Sequence, residues 1–129
     1  MGEGFRLRLD NKGLNTLART LKRAGADMAD LKTEYRKAAD AAVKGTKPVT
    51  PRRSGKLART LRGGATQKSG VMRAGGSSVP YAGVINYGWP GHNIKPANFM
   101  AKGLDRSADE INDIFADAID KALAQVKGA

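Results

Sequence analysis

Two long stretches of helical periodicity constrain this fold more than any other feature of the sequence. Apolar residues recur every three or four positions through 14–42 and again through 100–126, the spacing of a buried stripe on an amphipathic helix. The first stripe consists of Leu14, Leu17, Leu21, Ala24, Met28, Leu31, Tyr35, Ala38 and Ala42, and the second of Met100, Leu104, Ala108, Ile111, Phe115, Ala118, Ala122 and Val126. Gly25 marks either a kink or the junction of two helices in the first stretch. A coiled-coil seam is the alternative to packing on a sheet or a second helix.

A strand precedes the first helical stretch, and a basic loop follows it. Residues 5–9 alternate apolar and charged side chains, which predicts a half-buried strand. Asp10 or Asn11 can cap the helix that follows. Gly45 is expected to end that helix, because glycine is a common helix terminator. A basic, proline-containing loop is predicted over 44–56.

The middle of the chain predicts short elements only. Ser54 is a suitable N-cap for a helix over 56–61. A hairpin with strands at 65–69 and 71–74 follows the two glycines that end this helix. One or two helical turns are expected over 81–87.

These elements predict an α+β fold. A long N-terminal helix and a long C-terminal helix pack on a small antiparallel sheet, with a short aromatic helix or loop between. Because 129 residues suffice for one core, we predict a single domain over 1–129 with flexible termini at 1–4 and 127–129.

Large aromatic side chains are concentrated between residues 79 and 104. Aromatic residues make up only 5% of the chain, yet this segment holds the single Trp and two of the three Tyr. Large rings dominate burial wherever they lie, so Tyr81, Tyr87 and Phe99 are predicted to anchor the core. Trp89 and Pro90 lie in a glycine-flanked loop, which makes them candidates for a contact between subunits.

The net charge of +11 is unevenly distributed. Residues 44–73 hold nine cations and no acid, whereas residues 105–121 hold six acids and two cations. One interpretation is nucleic-acid binding by the basic segment. A second is head-to-tail association, in which the basic segment meets the acidic helix of another subunit. A third is that both segments are solvated surfaces.

The motifs of several functional classes are missing. There is no cysteine, which excludes disulfides, thiolate metal sites and a cysteine nucleophile. His92 is the only histidine and has no patterned partner. The sequence around Lys56 lacks the upstream glycine of a phosphate-binding loop. No apolar run approaches the roughly 20 residues needed to cross a bilayer, and residues 1–6 lack the apolar region of a secretory signal. We therefore predict no enzyme, cofactor, metal or membrane association.

Three motifs in order resemble the HK97 gp10-like family of tailed-phage proteins. They are TPRRSGKLARTL at 50–61, VPYAGVINYG at 79–88 and KPANFM at 95–100, ahead of a C-terminal helix. The chain departs from the family pattern in two places. Asn86 stands where the family often has an acid, and Pro96 lies three residues before the Phe rather than directly before it.

This resemblance implies a virion protein of the head-to-tail connector or neck that is assembled in the host cytoplasm and acts in tail completion. It implies a homo-oligomeric ring, with a hexamer favoured over a dodecamer, that docks on neighbouring neck and tail proteins. DNA would pass through the lumen. The candidate interface pairs one cationic set with one acidic set, namely Arg52, Arg53, Lys56, Arg59 and Arg62 with Asp109, Asp113 and Asp117. The cations would meet the acidic helix of the next subunit or face DNA. The alternative function is a basic nucleic-acid-binding module.

Overall fold

The computed structural model describes residues 5–23, 31–51, 55–76 and 79–127, and these form the predicted α+β architecture. A small antiparallel sheet and a long C-terminal helix are both present. The elements in chain order are β1 (Phe5–Leu9), α1 (Lys12–Arg23), α2 (Lys32–Thr46), a 3₁₀ turn (Lys47–Val49), α3 (Lys56–Thr60), β2 (Arg62–Ala65), β3 (Gly70–Ala74), α4 (Ala82–Tyr87), a second 3₁₀ turn (Pro90–His92) and α5 (Phe99–Lys127).

The N-terminal apolar stripe is carried by two helices, α1 and α2. Asn11 caps α1, because its Oδ1 accepts a hydrogen bond from the backbone N–H of Leu14 at 2.9 Å. Leu14 is fully buried, as are Tyr35, Ala38 and Ala42 on α2. Residues 24–30, which include the predicted junction at Gly25, lie outside the described residues.

The sheet packs on α2 through glycines. Its strand order is β1-β3-β2, and both pairings are antiparallel. A Cβ on Gly70 would lie 2.8 Å from the carbonyl oxygen of Tyr35, and one on Gly63 would lie 3.1 Å from the Cβ of Ala39. A real Cβ essentially never lies as close as 2.8 Å, and a contact at 3.1 Å is tighter than most, so these glycines allow the strands to approach the helix backbone.

Helix α5 runs antiparallel to α2. The rings of Tyr35 and Phe115 meet edge to face with centroids 5.6 Å apart. Later in α2 but earlier in α5, the Nζ of Lys44 lies 2.8 Å from the Oε1 of Glu110. Where the two helices come closest, the residues are small: Gly45 and Thr46 on α2 face Gly103 and Ser107 on α5. The hydroxyls of Thr46 and Ser107 donate to carbonyl oxygens one turn back in their own helices, so both polar side chains are buried with partners.

Tyr35 joins the helices to the N-terminal segment. Its ring is fully buried, and its hydroxyl donates to Oδ1 of Asn15 at 2.7 Å and accepts from the backbone N–H of Asn11 at 3.2 Å. Burial raises the pKa of the Tyr35 phenol, because the ionised form would be poorly solvated. The Tyr35 hydroxyl is therefore a neutral donor that fixes the start of α1.

Two predicted boundaries and one predicted helix cap were wrong. Gly45 does not end the helix, so the basic loop does not begin at residue 44. Instead, Gly45 lies inside α2, where a Cβ would come within 2.9 Å of Ser107 Cβ. Gly55, with φ of 79°, occupies the N-cap position of α3, and the predicted cap Ser54 lies outside the described residues. The first hairpin strand is Arg62–Ala65 rather than 65–69, because its glycines are needed beside α2.

Candidate interaction surfaces

The outer face of the sheet carries a row of arginines. Arg6 of β1 and Arg62 of β2 both lie directly opposite Arg73 of the central strand β3. Directly opposed residues project from the same face, with Cβ atoms about 5 Å apart. Arg8 follows two positions after Arg6 and therefore shares that face. All four side chains are exposed. We call Arg6, Arg8, Arg62 and Arg73 the arginine face.

The arginine face is only partly neutralised. Nη1 of Arg62 donates to the carbonyl oxygens of Thr60 at 2.8 Å and Gly75 at 2.9 Å, which orients the guanidinium without cancelling its charge. Nε of Arg8 lies 3.4 Å from a carboxylate oxygen of Asp10. For Arg6 and Arg73, no carboxylate of a described residue lies within 4.0 Å. Like charges directly opposed on a sheet destabilise it.

Helix α5 carries the opposite charge on its exposed side. Asp105, Asp109, Asp113 and Asp117 recur at every fourth position and are exposed, and we call these four residues the acidic stripe. Asp109 and Asp113 each lie about 160° around the helix from the buried Ile111. Among the described residues, no cation lies within 4.0 Å of any of the four carboxylates. Like charges four residues apart also repel one another.

The two charged surfaces lie on opposite sides of α2. On one side of α2, Ala39 and Asp40 lie beside the sheet at Gly63. On the other side, Glu34 pairs with Lys121 of α5, and Gly45 lies against Ser107. The inner face of the sheet and the buried side of α5 both point towards α2. The arginine face and the acidic stripe therefore point away from each other and cannot pair within one chain.

The predicted cationic interface is divided by the structure. Lys56 and Arg59 are exposed on α3, whereas Arg62 belongs to the arginine face. Arg52 and Arg53 lie outside the described residues. The alternation in β1 indicates that Arg6 and Arg8 share one face of a strand. Arg73 lies beside them only because of the register between β1 and β3, and no local sequence pattern predicts that register.

The prediction of aromatic core anchors was correct for Phe99 and wrong for two tyrosines. Phe99 is fully buried, whereas Tyr81 is 44% and Tyr87 68% exposed. Tyr81 directly precedes α4 and Tyr87 is its last residue, whereas the buried residues of the helix are Ala82 and Asn86. The short helix thus contacts the core through Ala82, Ile85 and Asn86, and the two tyrosine rings are left partly exposed.

The loop over residues 89–94 is largely exposed and is closed by backbone hydrogen bonds. Trp89 and Ile94 exchange two backbone hydrogen bonds at 2.8 and 3.1 Å. The rings of Trp89 and His92 lie with centroids 3.8 Å apart. Trp89 is 49% exposed, and Pro90 is exposed as well. The indole is therefore held in place while much of its surface is free for contact.

Asn86 joins α4 to the start of α5. Its Oδ1 accepts from the backbone N–H of Met100 at 3.1 Å, and its backbone carbonyl accepts from the N–H of Asn98 at 3.0 Å. Asn86 thus supplies the side-chain acceptor that the first turn of a helix requires. Gly88, with φ of 81°, lies against Pro96 so closely that a Cβ would come within 2.7 Å of the proline nitrogen. The second and third motifs of the resemblance therefore form one structural unit.

Other features and the comparisons with known proteins assign no activity. Across the described ranges, no three His, Asp or Glu side chains are grouped so as to hold a metal ion. In the same part of the chain, no helix combines the length and apolarity that a membrane span requires. Comparison with protein-family models, with curated proteins and with solved structures gave no significant match.

Proposed function

We propose that this chain is a structural subunit of a tailed-phage virion. It would belong to the head-to-tail connector or neck, act in tail completion, and form a ring of identical subunits. The order of the three motifs supports this proposal. Three residues of these motifs have structural roles: Asn86 caps α5, Gly88 allows close backbone approach, and Phe99 fills the core.

One observation carries the oligomeric part of the proposal. A single chain presents an exposed cationic face and an exposed acidic stripe on opposite sides of α2, and most of their charges have no oppositely charged partner within 4.0 Å among the described residues. Surfaces arranged in this way favour head-to-tail contacts, which close into rings when the rotation between copies allows it. A hexamer remains our preferred ring, with a dodecamer as the alternative.

The experiment is a nonsense mutation in the gene for this chain in a phage or prophage that carries it. We expect the host lysate to contain filled heads and separate tails by electron microscopy. A plasmid copy of the gene should restore joined particles. Joined, infectious virions made without the protein would refute the proposed function.

The arginine face favours a second candidate, a nucleic-acid-binding module. Clustered arginines bind phosphates, and affinity of this kind decreases steeply with salt. This candidate predicts a monomeric protein that retards duplex DNA of any sequence at low salt. Virion assembly would then not depend on the gene.

A further inference from the structure

We propose that the arginine face of one copy of this chain binds the acidic stripe of α5 in the next copy. The inference deepens the proposed function, on which it rests, by naming the contact between neighbouring subunits. It shares Arg62 with the interface predicted from sequence, but the other cations come from the sheet rather than from the loop and α3.

Both surfaces are unfavourable in an isolated chain. Three arginines opposed across the strands repel one another, and four aspartates at four-residue spacing do the same along α5. Each array relieves the repulsion within the other when two copies meet. Guanidinium groups suit this contact, because their planar fork can bind a carboxylate through two hydrogen bonds.

The two surfaces also match in size. The arginine row crosses three strands, so Arg6 and Arg62 are separated by about 10 Å at the backbone. Asp109 and Asp117 are eight residues apart on α5, which is about 12 Å along the helix axis. Arg62 is already oriented by its bonds to Thr60 and Gly75, which lowers the entropy lost on binding.

The placement of the surfaces favours a chain of copies over a closed pair. Because α2 separates them, a subunit that binds one neighbour through its arginine face still presents its acidic stripe to another. The contact is therefore heterologous, the kind that forms rings or filaments. A two-fold dimer that used both surfaces at once would need them side by side, and they are on opposite sides.

A second copy fits the arginine face better than nucleic acid does. The other outward positions on the three described strands are occupied by Val71 and Gly64, so these strands place no aromatic ring between the arginines to stack on bases. Nucleic acid would also leave the acidic stripe without a partner. Binding of one copy to another satisfies both surfaces with a single contact.

The test uses two complementary charge-reversal variants of the full chain. In the first, Arg6→Glu and Arg73→Glu make the sheet face acidic. In the second, Asp109→Arg and Asp113→Arg make the helix face basic. The matched control is Arg19→Glu with Lys22→Glu, which alters net charge as the first variant does at exposed positions on α1. Circular dichroism checks that each variant is folded.

Light scattering at low salt and at 1 M salt measures the result. We expect the wild type and the control to form oligomers at low salt that dissociate at 1 M. Each variant alone should be monomeric, with association at least about 100-fold weaker, since facing like charges cost several kcal/mol. An equimolar mixture of the two variants should assemble again, because each then finds an oppositely charged face on the other.

Several outcomes would overturn the interface. A wild type that is monomeric at low salt would do so, as would variants that assemble alone or a mixture that stays monomeric. If the Arg6→Glu, Arg73→Glu variant loses only duplex DNA retardation and still assembles, the arginine face binds nucleic acid instead. None of these outcomes bears on whether heads and tails join in the gene-deficient phage, so failure of the interface is distinguishable from failure of the proposed function.

Discussion

Replacing Gly103 with alanine should separate the two longest helices of the described chain. Gly103 lies on the side of α5 that faces Thr46 of α2. An added Cβ would overlap the side chain of Thr46 and lie 2.5 Å from its Cα. The hydroxyl could rotate away, but the Cα is backbone and moves only with the helix. Ordinary carbon contacts begin near 3.5 Å, so α2 and α5 must move apart by roughly 1 Å at this point.

The expected cost is a net loss of about 2 kcal/mol in the free energy of unfolding. Overpacking a tight site costs about 1–3 kcal/mol, and this site belongs at the upper end because the contact is with backbone. A gap of up to 1 Å also removes about a quarter to a half of the dispersion energy of each contact it opens. Alanine regains about 1 kcal/mol through its greater helix propensity. For a chain of this size, the melting temperature should decrease by roughly 8 °C.

The assay is urea unfolding followed by circular dichroism, with Gly83→Ala as the matched control. Gly83 lies inside α4, and a Cβ there would meet no atom within 4 Å. The control should therefore be as stable as the wild type or more stable by up to about 1 kcal/mol. If Gly103→Ala is as stable as Gly83→Ala, the close crossing of α2 and α5 is refuted.

Three further predictions concern single residues. Asn86→Ala should lower the free energy of unfolding by about 1–2 kcal/mol in urea titrations, because the N–H of Met100 loses its hydrogen-bond acceptor. Asn86→Asp keeps an acceptor and suits a helix N-terminus, so it should retain most of the wild-type stability. Equal losses for both variants would contradict the capping role. Phe99→Ala should lower the free energy of unfolding by about 3–5 kcal/mol in the same assay. Trp89→Ala should lower it much less, because the indole is half exposed. The reverse order would refute the assigned core. Burial raises the pKa of Tyr35 above 10.0, so the stabilising effect of the neutral phenol is complete below pH 10.0 and decreases as the pH rises through the folded-state pKa. The absorbance titration of Tyr35→Phe at 295 nm, subtracted from that of the wild type, should leave a step above pH 10.0. A step at or below pH 10.0 would contradict the burial.

The structure gives a physical account of one departure from the family pattern. Asn86 stands where the resembling family often has an acid. In this chain the amide oxygen accepts the backbone N–H of Met100 instead. A carboxylate at this position would fill the same role at the helix N-terminus.

The elements with strong local patterns could be predicted from the sequence. The apolar stripes of α2 and α5 identify their buried faces, since Tyr35, Ile111 and Phe115 are all buried. The strand predicted from the alternation over 5–9 and the helical turns expected over 81–87 were likewise placed correctly. These patterns succeed because an amphipathic helix or strand must bury one side, whatever it packs against.

The predictions that failed depended on what each residue packs against. Gly45 and Gly63 appeared to be helix terminators, yet they lie where another element's atoms leave no room for a side chain. Tyr81 and Tyr87 appeared to be core residues because they are large, but the short α4 buries Ala82 and Asn86 instead. The size of a tyrosine and the backbone freedom of a glycine can be read from the sequence. The space available to a side chain depends on which distant element packs beside it.

The composition and order of residues alone determined that the chain carries a charge split, an α+β fold and two amphipathic helical stretches. Only the tertiary structure decided which charged residues lie together on one surface and which are held apart. The pairing of β3 with both other strands brings Arg6, Arg62 and Arg73 into one row from positions up to 67 residues apart. The insertion of α2 between the sheet and α5 then separates that row from the acidic stripe. Strand register and layer order arise from contacts between distant segments, so no local pattern in the sequence could reveal them.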